Sequence, residues 1–171
     1  FKYDGKDKMS SALLREAQLS AMDLIRNSGM AVTSDIGDLN SIHPSEKIKV
    51  GKRLAYWALN NTYNINSVVP SGPVIKTYQV NGSQVELIFD YAENGFYEFN
   101  GPLKDFEISG IDGIFHQAKA SVTRNGKVIV KSIEVNEPLM IRYGWKNYFD
   151  STLFNLEGLP ASSFFIRDLS K

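Results

Sequence analysis

The chain has 171 residues, 43% of them hydrophobic and 12% aromatic, enough for one large domain or two small ones around packed cores. Nineteen basic residues balance nineteen acidic ones with no block of like charge, which disfavours nucleic acid and anionic membrane as partners. There is no cysteine, so no disulfide framework and no thiolate metal site, and no apolar run reaches the roughly eighteen residues that a membrane span needs.

In chain order, the opening FKYDGKDKM lacks the apolar centre of a leader peptide, so if the protein is exported its signal lies outside this sequence. Ser10 or Ser11 is placed to cap a helix whose apolar positions Leu14, Ala17, Ala21, Leu24 and Ile25 recur at three and four, with Gly29 placed to end it. Met30 to Thr33 is a run of strand length that empties into a polar loop, 34 to 41. Pro44 suits the first turn of a second helix, with Ile48, Gly51, Leu54, Ala55, Ala58 and Leu59 as its buried stripe and Asn60 with Asn61 at its close. This is the order of an α/β unit, in which functional loops follow the carboxyl ends of strands. One strand with two helices is too little for a domain, because a parallel strand needs neighbours for its backbone groups. Residues 1 to 62 therefore read as the tail of a larger α/β domain: either the sandwich shelters these helices, or the chain is a fragment whose other half is absent.

From about Tyr63 the period changes to two. Val74 to Val80 and Gln84 to Tyr91 flank Asn81 and Gly82, a pair suited to a tight hairpin turn, and Gln117 to Thr123 and Lys127 to Ser132 flank Asn125 and Gly126 in the same way. Phe106 to Ser109 and Leu139 to Trp145 supply further strands. The fold class expected is α+β, a helix-strand-helix piece followed by an antiparallel β-sandwich over residues 63 to 171.

His43 is one of two histidines, and it lies between the acidic loop holding Asp35 and Asp38 and a helix start. An imidazole there can act as a general base if a neighbouring carboxylate accepts its Nδ1 proton. The plainer reading is a helix cap. Asp38 and Asp35 are both placed to fold back on it, whereas Asn40 can orient an imidazole but not stabilise its charged form. His116 reads as a surface or satisfied core residue without metal partners, and no cofactor is expected. Arg142 and Arg167 are candidates for a sugar carboxylate, but more simply lock the sandwich by salt bridges. Trp57, Tyr143, Trp145, Phe164 and Phe165 could stack on sugars, though such aromatics usually form core. Lys47, Lys49, Lys52 and Arg53 read as a solvated helix face. The glycosylation sequons at Asn60 and Asn81 are near chance, and Asn81 is better explained by its turn.

The segments LREAQ (Leu14 to Gln18), SGMAV (Ser28 to Val32), DIGD (Asp35 to Asp38), IHP (Ile42 to Pro44) and VGKRLA (Val50 to Ala55) together resemble sialate O-acetylesterases, a branch of the SGNH hydrolases. SGP (Ser71 to Pro73), the stretch Phe106 to Ala120, RYGW (Arg142 to Trp145), NLEGLPAS (Asn155 to Ser162), Arg167 and Asp168 continue the resemblance in one order nearly end to end. It implies an SGNH-type α/β hydrolase piece over 1 to 62 and an accessory sandwich over 63 to 171. It also implies an exported enzyme, whether periplasmic, secreted or lysosomal, in which a serine attacks the acetyl group of an O-acetylated sialic acid or related glycan and a histidine serves as base and then acid. His43 matches the catalytic histidine. The family's acid lies in the preceding loop, which makes Asp38 the choice and Asp35 the reserve. Asn40 stands where SGNH hydrolases usually place an aspartate, so a dyad with a backbone carbonyl orienting His43 is the other possibility.

The nucleophile of such enzymes sits in a glycine, glutamine, serine, asparagine segment that this sequence does not carry, and Ser28, Ser34 and Ser41 lack its context. The expectation is a C-terminal portion that supplies the base, needs the missing N-terminal half as partner, and is inactive by itself. The competing expectation is a non-catalytic carbohydrate-binding or interface module.

Overall fold

The structure, a computed structural model, describes residues 7 to 97 and 101 to 170. Two helices come first, α1 (Ser10–Leu24) and α2 (Lys47–Trp57), the latter running into a π turn over Ala58–Thr62. Ten strands follow: β1 (Val74–Asn81), β2 (Gln84–Asp90), β3 (Phe96–Tyr97), β4 (Phe106–Ser109), β5 (His116–Gln117), β6 (Lys119–Val122), β7 (Val128–Lys131), β8 (Met140–Tyr143), β9 (Phe154–Asn155) and β10 (Phe164–Ile166). They form antiparallel sheets in the orders β1-β2-β7-β6 and β10-β8-β4-β5, with β3 paired to β9. The molecule is α+β, and the two larger sheets face each other as a sandwich.

Alternation builds the core between those sheets. Val85, Leu87 and Phe89 of β2 and Val128 and Val130 of β7 point inward from one sheet, and Phe106, Ile108, Ile141 and Tyr143 from the other. Phe89 meets Phe164 across the gap edge to face, with centroids 6.1 Å apart. Tyr143 is fully buried, and its hydroxyl accepts the N–H groups of Thr152 and Leu153 at 3.1 Å each. Asn155, also fully buried, donates from Nδ2 to the carbonyls of Ser71 (2.9 Å) and Tyr91 (2.8 Å), and its Oδ1 accepts the Leu159 N–H at 2.9 Å. The SGP and NLEGLPAS segments are thus tied to one another.

Both hairpins form, with shifted turns. In the first, Asn81 pairs with Gln84, so the two-residue turn is Gly82 and Ser83 rather than Asn81 and Gly82; Gly82 at φ 60° takes the first turn position, where glycine suits a type II′ geometry. In the second, Thr123 bonds Lys127 around a three-residue loop that closes on Gly126 at φ 71°. The expected strand from Gln117 to Thr123 is two strands: β5 belongs to one sheet and β6 to the other, and the chain crosses between them at Ala118.

The first 62 residues depart further from expectation. Among the described residues Met30 to Thr33 is not a strand, because no neighbouring strand offers its backbone a ladder. α1 stops at Leu24, and Asn27 takes the left-handed conformation (φ 55°) ahead of Gly29. The start of α1 is served by Asp7, whose carboxylate accepts the N–H groups of Met9 (2.9 Å) and Ser10 (2.6 Å), so neither Ser10 nor Ser11 caps it. α2 begins at Lys47, after Pro44 rather than at it.

The expected apolar stripes are exposed: Leu14 at 60%, Leu24 at 84%, Ile25 at 59% and Ile48 at 75%. What the helices bury is Ala12 on α1 and Arg53 with Trp57 on α2, so Arg53 is not part of a solvated face. α1 docks on the sandwich through Arg15, which donates to Ser163 Oγ (2.9 Å) and to the carbonyls of Gly144 (3.0 Å) and Lys146 (2.6 Å). Arg167 grips Glu16 with both terminal nitrogens at 2.7 Å, a sandwich-to-helix lock rather than a free cation.

Candidate active site

The loop that carries the candidate residues joins Met30 to α2. Its first part is held from the side by α2. Trp57 Nε1 donates to the Met30 carbonyl at 3.0 Å, and one turn earlier Arg53 Nη1 donates to the Val32 carbonyl at 2.6 Å. The same guanidinium forks onto Asp35, Nη1 to Oδ1 at 2.7 Å and Nη2 to Oδ2 at 2.6 Å, with side chains only 8% and 14% exposed. Ile36, the next residue, is buried, and the Ser34 and Ser151 hydroxyls bond to each other, pinning the segment to the sandwich. Gly29 is needed beside it, since a Cβ there would lie 2.4 Å from Trp57 Cγ.

Beyond Asp35 the loop moves outward. Asp38 is exposed, and its Oδ1 accepts the Asn40 N–H at 2.7 Å. His43 is also exposed, three residues ahead of the helix N-cap Glu46, and its backbone N–H donates to Ser41 Oγ at 3.0 Å. Its imidazole has no hydrogen-bond or ion-pair partner among the described residues, and no bond joins it to Asp38 or Asp35. His43 is therefore not the cap of α2, and its ring is available to groups arriving from outside.

A groove of about 720 Å³ runs alongside. It is lined by Leu14, Gln18 and Ala21 of α1 with Ile25 just beyond the helix, by Gly37, Asp38, Ser41, Ile42 and Pro44 of the loop, and by Asn147, Tyr148 and Phe149. Leu14, Ala21 and Ile25 of the stripe that periodicity marked for burial line this groove, and so does Asp38. Tyr148 donates from its hydroxyl to Asp150 at 2.8 Å; that bond, burial and the nearby carboxylates Asp150 and Asp38 hold its phenol above the usual tyrosine range.

The other candidates are structural. His116 Nδ1 meets Glu134 at 2.8 Å on the sandwich surface. Arg142 bonds Glu107 at 2.8 Å and lies 3.8 Å over the Phe115 ring. Trp57, Tyr143 and Trp145 are buried, and Trp145 packs on Phe165 with centroids 5.1 Å apart. Among the described residues there is no group of three histidine, aspartate or glutamate side chains that could hold a metal ion, and no helix is long and apolar enough to cross a membrane. The feature of the loop that sequence reasoning missed is the Arg53 to Asp35 pair; the only signal for it was the spacing of Arg53 and Trp57 on one face of α2.

No family model and no curated protein matches the chain. Among solved structures it is similar to one described as a novel carbohydrate acetylesterase from Xanthomonas citri, with 38% sequence identity and a TM-score of 0.83. The similarity covers 91% of this chain and 36% of that one, so this chain spans little more than a third of the solved protein's length. Over about nine-tenths of its residues the chain is thus similar in sequence and in fold to a carbohydrate acetylesterase.

Proposed function

We propose that this chain is the C-terminal portion of a carbohydrate O-acetylesterase of the SGNH type, resembling sialate O-acetylesterases. Residues 1 to 62 are the end of the hydrolase domain and residues 63 to 171 its accessory sandwich. The observation that carries the reading is the 38% identity to the acetylesterase over 91% of the chain. The free imidazole of His43 on an exposed loop, and the uncovered apolar wall of the groove, agree with a site whose other half comes from elsewhere in the protein.

In this reading His43 takes the proton of a serine hydroxyl as that oxygen attacks the acetyl carbonyl. It then returns the proton to the departing sugar oxygen, and repeats the cycle with water to release acetate from the acetyl-serine. Asp38, five residues away on the same loop, orients the ring and stabilises its charged form. The serine and the oxyanion donors come from the N-terminal half, so the chain alone turns over no ester. The substrate is an acetylated glycan, with sialic acid and other acetylated sugars such as xylose in the same class, and the protein acts outside the cytoplasm.

Supplying a polypeptide that bears the glycine, glutamine, serine, asparagine segment should give acetate release from a chromogenic acetate ester. His43→Ala should abolish that release, and Asp38→Asn should lower kcat by roughly 10²–10⁴-fold. Activity indifferent to His43→Ala would remove this histidine from the mechanism.

A further inference from the structure

We propose that Arg53 and Trp57 are positioning residues that set where the Asp38 to His43 loop stands, and that Asp35 serves them rather than the histidine. The catalytic meaning of this rests on the esterase reading above; the geometry does not. Arg53 and Trp57 are four residues apart, so both side chains leave α2 on one face. From that face they take two carbonyls two residues apart, Met30 at 3.0 Å and Val32 at 2.6 Å, and both oxygens of Asp35. The helix that follows the loop therefore also holds the segment that precedes it. Both ends of the loop are thus referred to α2, while the Ser34 to Ser151 bond ties the incoming segment to the sandwich as well.

Past the buried Ile36, whose N–H donates to the Thr33 carbonyl, little else fixes the loop. Its own bonds, Asn40 N–H to Asp38 and His43 N–H to Ser41, are local and exposed. A catalytic imidazole tolerates little misplacement, so its precision has to come from the anchored ends. The guanidinium fork suits this work because two parallel bonds fix angle as well as distance, which a lysine cannot do. Asp35 has both oxygens committed to Arg53, which leaves Asp38 as the groove-lining carboxylate of the loop without an ion pair among the described residues, its Oδ1 taken by the Asn40 N–H. Trp57 extends the reference to the sandwich through its edge contact with Tyr91, centroids 5.9 Å apart.

The test is amide exchange and imidazole NMR on the chain itself, with Arg53→Ala, Arg53→Lys and Asp35→Asn, read beside acetate release once the nucleophile segment is supplied. Arg53→Ala should speed exchange of the 36 to 43 amides by about tenfold or more and shift the His43 ring signals, while β2 and β7 amides keep their protection as the control for folding. Arg53→Lys, which keeps the charge and loses the fork, should fall between the two. In the assembled esterase the same series should lower kcat while leaving KM within about twofold and the inflection of the pH profile in place. Loop exchange within about twofold of the parent in Arg53→Ala, with the sandwich intact, would overturn the proposal. Loosened loop amides with unchanged kcat would overturn its catalytic part. Loosened amides in a chain whose parent form never yields an active esterase would count against the esterase reading and leave the clamp in place. If Arg53→Ala does not fold, the Arg53→Lys and Asp35→Asn pair decides the same question.

Discussion

Asn155→Leu removes an amide that is fully buried and spends its bonds on three backbone groups: the carbonyls of Ser71 and Tyr91 and the N–H of Leu159. Leucine keeps the branched four-heavy-atom shape but carries larger methyl groups, so no cavity opens and the loss combines unpaired polar groups with some overpacking. Each buried group left without a partner costs about 1–3 kcal/mol, and the benefit of no longer burying an amide offsets part of that, giving a net loss of about 3–5 kcal/mol. For a chain of this size that is roughly a 6–20 °C fall in melting temperature, and a large part of a typical total stability of about 5–15 kcal/mol.

The pH dependence of a second variant separates this mechanism from simple loss of packing. Asn155→Asp keeps an acceptor for Leu159 but sets carboxylate oxygen against two carbonyls, so the acid form, which can donate to one of them, is favoured in the folded state. Its folded pKa is then raised, and the stability it contributes is present below the unfolded value of about 4 and lost as pH rises through the folded one. Asn155→Asp should therefore approach the parent at acid pH and fall behind it at neutral pH. Differential scanning calorimetry across that range reads both variants. An Asn155→Leu protein within about 1 kcal/mol of the parent would refute the claim that this side chain ties the two segments together.

Two glycines make an opposed pair: a Cβ at Gly72 would lie 2.1 Å from the Pro160 carbonyl oxygen, while one at Gly51 in α2 meets nothing within 4 Å. Gly72→Ala should cost more than about 3 kcal/mol because backbone cannot swing aside, and Gly51→Ala should gain about 0.5–1 kcal/mol from helix propensity, both measured by urea unfolding. Burial raises the Tyr143 phenol, although the Thr152 and Leu153 N–H groups it accepts oppose the shift. The folded state thus holds that proton more tightly than the unfolded one, so this contribution to stability is complete below the unfolded tyrosine pKa of about 10 and is lost as pH climbs above it. In an absorbance titration, Tyr143 should ionise only as the fold opens; its ionisation in step with the exposed tyrosines before any loss of near-ultraviolet circular dichroism would contradict its burial.

How much of this was legible depends on what each signal measures. The hairpins were legible because alternation and an asparagine-glycine pair are local, and the one-residue shift at Gly82 arose because φ 60° is needed at the first turn position, not the second. β10 was not legible as a strand: three residues, all half-buried, show no alternation to read. The crossing at Ala118 was hidden because β5 and β6 lie in one continuous alternating run, and only tertiary pairing divides it. Periodicity marked the apolar stripes of α1 and α2 correctly as stripes, but which face is covered depends on neighbours, and among the described residues nothing lies on Leu24 or Ile48. Arg53 was misread for the converse reason, since a cation in a lysine-rich helix reads as solvated unless its buried partner, eighteen residues earlier, is known.

The exposed stripe and the exposed histidine are one problem on the esterase reading. An imidazole in bulk water is a weak catalyst, because water screens the field of its acid partner and of any oxyanion donor; both gain strength when the site is closed off. Asp38 and Ile42 line the same groove as Leu14 and Ile25, so a body that covers its apolar lining also removes water from the loop that carries His43. The energy for that closure comes from the stripe, at about 25 cal/mol per Å² of apolar surface covered, and not from the polar loop, whose desolvation opposes it. The chemistry of His43 and the burial of α1 are then coupled. A substitution such as Leu14→Lys, remote from every reacting atom, would weaken the site by loosening what keeps it dry.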